Sequence, residues 1–334
     1  MERSKSLTRS TMGARALRFT AFGIALALPA TIFATEVLTI AIPTKSFQQV
    51  IYPLAQERGY MREEGIDLKI TFIEPTPSIQ ALLAGSVQFT AAGSSALVAL
   101  TKGGAPLKVV LAVNDRVHQW LLTKPEISSP TALKGRKIAT TGIASVATFM
   151  FKQIIARHGL DPSKDVAFLD PGTGNQLTSL LAGVVDGAIL SVEQRYVGLD
   201  QKMKEMFYFG NEVKNSWGTL ATTDRFIKEQ PKLLTSFMKA TLKVLRFLRQ
   251  DKETTVAAVM KFSGIERNLA ARIYDDLIGT FTRSGTVDEE TQKNDLDIIQ
   301  QVAAAKDPVP ISRAYDFSFA LEADRQLNQA GWRP

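Results

Sequence analysis

The chain has 334 residues, of which 45% are hydrophobic and 22% charged, with a net charge of +7 and no cysteine. That composition excludes a disulfide scaffold and any thiol chemistry. The length is near the limit at which a single core gives way to several, so two lobes stabilised by apolar burial are expected.

Residues 1–34 read as a secretory leader. Arg3, Lys5, Arg9, Arg15 and Arg18 oppose a single Glu2, an apolar run of about a dozen residues follows, and Ile32-Phe33-Ala34 offers a cleavage site. A membrane span needs about 20 apolar residues, so the run is too short for an anchor. There is no twin arginine and no cysteine to lipidate, so a periplasmic product freed near Ala34 is expected. Five basic residues and one acidic residue leave with the leader, which takes the net charge from +7 to +3. A nucleic-acid role loses its main support with them.

The remainder repeats itself. Ala81-Leu82-Leu83-Ala84-Gly85-Ser86-Val87 returns as Ser179-Leu180-Leu181-Ala182-Gly183-Val184-Val185, with Glu74-Pro75 ahead of the first copy and Asp170-Pro171 ahead of the second. Upstream, Leu38-Thr39-Ile40-Ala41-Ile42 and Lys137-Ile138-Ala139-Thr140 each lead through a polar loop and a helical stretch to a glycine stop, at Gly59 or Gly159. Each half thus predicts strand, helix, strand, helix, strand, a βαβ pattern that implies a parallel sheet. The acid–proline pair is expected to end a strand and open the next helix, and the glycine after Leu-Leu-Ala to close it.

After the second copy, 217–223 predicts a returning strand. Leu234, Phe237, Met238, Thr241, Val244, Leu245 and Leu248 then keep one helical face apolar, with Lys232, Lys239, Lys243, Arg246 and Arg249 on the others. Such charges are expected to face water on a surface helix rather than to lie on a membrane. Further helices are predicted over 257–262, 267–280 and 288–305, before Pro308 and Pro310 introduce a tail.

In parallel sheets ligands bind at the carboxyl ends of strands, where loops lead into helices. Those loops hold Thr44-Lys45-Ser46-Phe47, Thr76-Pro77-Ser78, Gly93-Ser94-Ser95, Thr141-Gly142-Ile143-Ala144-Ser145 and Gly172-Thr173-Gly174-Asn175. Each hydroxyl alone reads as a helix cap. Five such loops converging from two lobes also read as a pocket for a polar or anionic group.

Catalytic constellations are missing from the pattern. The two histidines, His118 and His158, sit in dissimilar settings without metal-ligand spacing. Gly93-Ser94-Ser95-Ala96-Leu97 lacks the second glycine of a nucleophile elbow, and no phosphate loop or dinucleotide fingerprint occurs. Asp170 and Glu193 could pair as acid and base, but Asp170 occupies the turn position that Glu74 fills in the other half. No catalytic residue, metal or cofactor is expected.

Taken in order, Gly59-Tyr60-Met61-Arg62-Glu63-Glu64-Gly65-Ile66-Asp67, the two Leu-Leu-Ala-Gly segments, Ser129-Pro130-Thr131-Ala132-Leu133-Lys134-Gly135-Arg136-Lys137-Ile138 and His158-Gly159-Leu160-Asp161-Pro162 carry a resemblance. Over about 36–307 the chain resembles the periplasmic solute-binding proteins of ABC importers for nitrate, sulfonates, taurine and thiamine precursors. The resemblance implies an α/β, type II periplasmic binding fold: two βαβ lobes joined by two crossover strands, with extra C-terminal helices. The crossings would fall at 118–122 and 216–222, so that 35–117 and 219–334 form lobe 1 and 118–218 forms lobe 2.

By position, the resemblance implies ligand contacts from Thr44, Phe47, Ser94, Ser95, Asn114, Thr141, Ser145 and Glu193, and the loop reading adds Thr76. Relatives carry tryptophan-glutamate-proline where this chain has Val192-Glu193-Gln194, which removes an aromatic wall. Trp217 or Trp120, near the crossings, would supply the ring; otherwise a hinge tryptophan is core.

The implied function is the extracytoplasmic, non-enzymatic component of an ABC importer, a monomer that captures a small polar or anionic organic solute of sulfonate, carboxylate or pyrimidine type. Its partners are that solute and the importer's membrane subunits, not nucleic acid. A ligand-presenting partner of a membrane sensor fits the same features, and a secreted hydrolase fits fewer. Cleavage near Ala34 predicts a mature chain that begins within a few residues of Thr35. N-terminal sequencing of periplasmic protein checks this, and an intact leader in a membrane pellet would overturn it.

Overall fold

The structure, a computed structural model, describes residues 35–172 and 174–334. The expected leader lies outside the described residues.

Short apolar runs become ten strands. The first half forms β1 (Glu36–Ile42), β2 (Ile66–Phe72), β3 (Phe89–Thr90) and β4 (Leu107–Asn114). The second forms β5 (Trp120–Thr123), β6 (Arg136–Ala139), β7 (Val166–Leu169), β8 (Gly187–Leu190) and β9 (Lys204–Tyr208), before β10 (Trp217–Thr223) returns. They assemble into two five-stranded sheets, ordered β2-β1-β3-β10-β4 and β7-β6-β8-β5-β9. The two orders coincide place by place, so the sequence repeat is a structural one.

The sheets are mixed rather than parallel throughout. In each, the first three strands pair in parallel, whereas the fourth runs antiparallel to both of its neighbours. That fourth strand is the one delivered from the opposite half, β10 to the first sheet and β5 to the second. The passages between sheets are 115–119 and 209–216, somewhat earlier than 118–122 and 216–222. Backbone pairing decides this, because Trp120 is already opposite Leu190 and Trp217 opposite Asn114.

The Leu-Leu-Ala-Gly segments close equivalent helices. Leu82 and Leu180 are buried, and Gly85 and Gly183 adopt φ of 79° and 74°, a region that costs glycine little. The acid–proline pairs are not equivalent. Pro75 starts the helix Pro75–Leu83 as expected, but the matching helix is Gln176–Leu181. Gly172 and Gly174, both at φ 88°, turn the chain after Pro171, and Gln176 bonds back to the Gly172 carbonyl at 3.0 Å.

Helix Pro231–Leu248 is a central element, not a surface helix. Lys243, 6% exposed, reaches Glu63 at 2.8 Å and Glu64 at 2.7 Å, and Lys239 reaches Glu64 at 2.7 Å. Cations on the polar faces are thus neutralised by the turn Tyr60–Glu63 and its successor, as burial of charge requires. The tail after Pro310 also folds. Helix Ser318–Gln329 buries Ala320, Ala323 and Leu327 beside Pro231–Leu248, and Arg246 holds Asp324 at 2.8 Å. Its contact face is mostly alanine, so its apolar pattern is faint in sequence. Among the described residues, no helix is long and apolar enough to cross a membrane.

Helix Glu289–Ala303 places Asp295 against the second passage. The buried carboxylate accepts from Asn215 Nδ2 at 2.9 Å, Ser216 N at 3.0 Å, Ser216 Oγ at 2.5 Å and Tyr315 OH at 3.1 Å. Loss of water outweighs these donors and pushes its pKa from 3.8 up to about 6. The native state therefore holds this proton to higher pH than the unfolded chain does. The stabilisation is complete below pH 4 and is lost as pH rises to about 6, on the order of 3 kcal/mol. Urea unfolding of the wild type and Asp295→Asn checks it. Wild-type stability relative to the variant should fall over that window and level off above it; a constant difference would sink the assignment.

Candidate ligand cleft

A cavity of about 420 Å³ opens where strand ends of both sheets meet. The turn after β1 contributes Pro43, Thr44, Ser46, Gln48 and Gln49, and the turn after β3 contributes Ala91 to Ser95. From the second sheet come Thr141 after β6 and Ser191, Val192 and Glu193 after β8. His118 and Gln119 of the first passage and Trp217 to Thr219 of β10 form the wall between them.

Local sequence explains the close approach at one corner. A Cβ at Gly93 would lie 2.1 Å from Thr219 Oγ1 and 2.8 Å from the Thr219 carbonyl oxygen. Only glycine lets the helix Gly93–Gly103 begin against β10. Its N-cap residue, Ala92, has no side-chain oxygen, so the first N–H groups receive no side-chain cap. The neighbouring helices differ: Ser145 Oγ accepts from Thr148 N at 3.2 Å, and Ser191 Oγ accepts from Gln194 N at 3.5 Å.

Of the sequence candidates, Thr44, Ser94, Ser95, Thr141, Glu193 and Trp217 line the cavity. Four do not. Phe47 is fully buried in the core, edge-on to Phe281 at 5.4 Å and Tyr274 at 6.4 Å, because its turn tucks inward. Asn114 is buried at the end of β4, with Nδ2 on Thr280 Oγ1 at 3.1 Å. Thr76 is exposed one residue beyond Pro75 and is absent from the lining. Ser145 is occupied as a helix cap. Trp217 supplies an aromatic ring, whereas Trp120 is core, stacked on Tyr208 at 4.8 Å.

Sequence reading missed Gln48, Gln49, His118, Gln119 and Ser191. The glutamine pair inside the apolar run from Phe47 to Tyr52 was an available signal, since amides there need a polar reason to be retained. His118 is 3% exposed, and burial lowers its pKa to about 3, so the ring is neutral. Its Nε2 lies 2.8 Å from Thr280 Oγ1. Glu193 is the single charged side chain among the lining residues, and no lysine or arginine is among them. A larger cleft of about 730 Å³ beside Arg116 and Lys214 has several of its charges paired with each other, including Lys214 with Asp288 at 2.7 Å. Among the described residues, no cluster of three or more histidine, aspartate or glutamate side chains is placed to hold a metal.

Residues 46–255 match the family described as NMT1/THI5 like. The formylaminopyrimidine-binding protein of Halalkalibacterium halodurans is 24% identical over 219 residues, covering 62% of this chain and 64% of that protein, just short of two thirds of its length. The periplasmic sulfonate-binding protein SsuA from Methylobacillus flagellatus KT superposes with a TM-score of 0.75 at 16% identity, over 91% of this chain and 98% of that one. The desulfurization enzyme DSZB superposes at 0.63 and 12% identity, over 88% and 99%. The fold is that of periplasmic binding proteins, and an enzyme shares it.

Gly93→Ala should destabilise the protein by about 2 kcal/mol, the usual penalty for forcing a side chain into closed space. Denaturant unfolding measures it, and a neutral result would show that Thr219 can move aside.

Proposed function

Because the chain belongs to the NMT1/THI5-like family, we propose that it is an extracytoplasmic solute-binding protein serving an ABC importer. The observation that carries this reading is the cleft, whose walls come from both sheets and from the passages that join them. A small polar solute bound there touches two bodies at once, 35–117 with 219–334 and 118–218, and favours their closed arrangement by its higher affinity for it. The closed surface is what the importer's membrane subunits would recognise. Export by the leader over 1–34 and a monomeric, periplasmic product complete the proposal, and the relatives' names support it without deciding the solute.

Binding without catalysis fits the groups present. The hydroxyl bonded to His118 is that of Thr280, whose proton goes to the Leu277 carbonyl at 2.7 Å, so the pair is not an activated nucleophile and base. Glu193 has no second carboxylate beside it among the lining residues. A sharing of fold with DSZB does not carry its chemistry across.

A thermal-shift screen of small solutes identifies a ligand, and small-angle scattering then tests closure. The radius of gyration should shrink at saturation. An unchanged radius with the ligand bound would overturn the two-body reading.

A further inference from the structure

Three buried polar atoms in or just behind the cleft wall have no partner in the protein. They are Nδ1 of His118, Oε1 of Gln49 and Oδ1 of Asn114. His118 and Gln49 line the cavity at 3% and 4% exposure. Asn114 lies beneath Gly218, where an added Cβ would come within 3.2 Å of its Oδ1. The Gln49 amide can turn over and present nitrogen instead. His118 and Asn114 cannot reverse so easily, because Thr280 fixes them. Its hydroxyl gives its one proton to the Leu277 carbonyl at 2.7 Å, so toward His118, at 2.8 Å, and Asn114, at 3.1 Å, it can only accept. The ring proton of His118 must therefore sit on Nε2, which leaves a bare lone pair on Nδ1. Burial keeps the ring neutral, so Nδ1 stays an acceptor.

The remaining wall carries hydroxyls and amides but no cation to meet an anion. Glu193 is the one charge in it, and no lysine or arginine faces the cavity. A buried acceptor left unmatched is costly, and a ligand removes that cost by supplying a donor. An oxyanion brings only further lone pairs.

We propose that the cleft selects a neutral or cationic nitrogenous solute, an amidine or an amino-substituted ring, that donates an N–H hydrogen bond to Nδ1 of His118, and that it turns away sulfonates and nitrate. The proposal rests on the cleft being the ligand site. A carbonyl or ring nitrogen elsewhere on the solute can meet the N–H groups at the start of helix Gly93–Gly103.

With two histidines in the chain, ¹⁵N-histidine labelling gives two ring systems, and His158→Gln assigns them. His118 should show the Nε2-protonated tautomer, and its Nδ1 signal should move when a nitrogenous probe binds. Calorimetry then compares cytosine, 4-aminopyrimidine and benzamidine with methanesulfonate and nitrate. At least one nitrogenous probe should bind, about ten-fold more weakly to His118→Ala; if that variant does not fold, the Nδ1 signal of the wild type decides. Methanesulfonate or nitrate bound by the wild type but not by Ser94→Trp, which fills the cleft, would overturn the donor rule and leave the cleft reading standing. A nitrogenous probe bound equally by both proteins would overturn the cleft reading itself. A proton on Nδ1, or silence from every nitrogenous probe, would also overturn the proposal.

Discussion

The hydroxyl of Thr280 can donate one hydrogen bond and accept two, and three partners meet it: the Leu277 carbonyl, Asn114 Nδ2 and His118 Nε2. It sits where the chain leaves the first sheet, and its surroundings repeat the hold. The Thr280 carbonyl takes the Asp115 N–H at 2.9 Å, while Thr282 bonds the Val113 carbonyl at 2.8 Å and the Ala112 carbonyl at 2.6 Å. Fifteen residues on from Thr280, Asp295 gathers the donors of Asn215 and Ser216 where the chain comes back. Both passages are therefore pinned at their first-sheet ends by one C-terminal segment.

The same economy of partners runs through the core behind the cleft. Phe237 of the central helix stacks on Phe89 of β3 at 4.3 Å, and β3 leads straight into Ala91 to Ser95 of the cavity wall. Lys239 and Lys243, on the opposite side of that helix, are held by Glu63 and Glu64. Removing one member of such a network would strand a buried charge, which costs far more than the pair contributes. The wall's position is thus transmitted from apolar stacking on one face and charge neutralisation on the other.

Much of this was legible in the residues. The Leu-Leu-Ala-Gly echo, the glycine stops and the alternating strands specify two like halves, because each depends on local chemistry: period-two burial and positive φ. The antiparallel fourth strands were not legible, since nothing in Trp120–Thr123 or Trp217–Thr223 says which neighbours it will find. Site residues divided in the same way. Thr44, Ser94, Ser95 and Thr141 follow from their place after strands, and Trp217 from its place near a crossing. Phe47 and Asn114 occupy similar places but face inward, a choice made by Tyr274, Phe281 and Thr280, which lie far along the chain. His118 looked like a bystander because its setting depends on a hydroxyl 162 residues away.

The pairing of β4 has a consequence for the order of assembly. In its sheet β4 has a single strand neighbour, β10, more than a hundred residues later in the chain. A chain synthesised or threaded from its N-terminus can build β2-β1-β3 early, yet it must carry β4 with open backbone groups until 217–223 arrives. Contacts of such long separation form slowly, since the loop-closure entropy precedes the reward. Under the export proposed above, that delay keeps the chain extensible while it crosses the membrane, and the completed first sheet becomes the last step rather than the first.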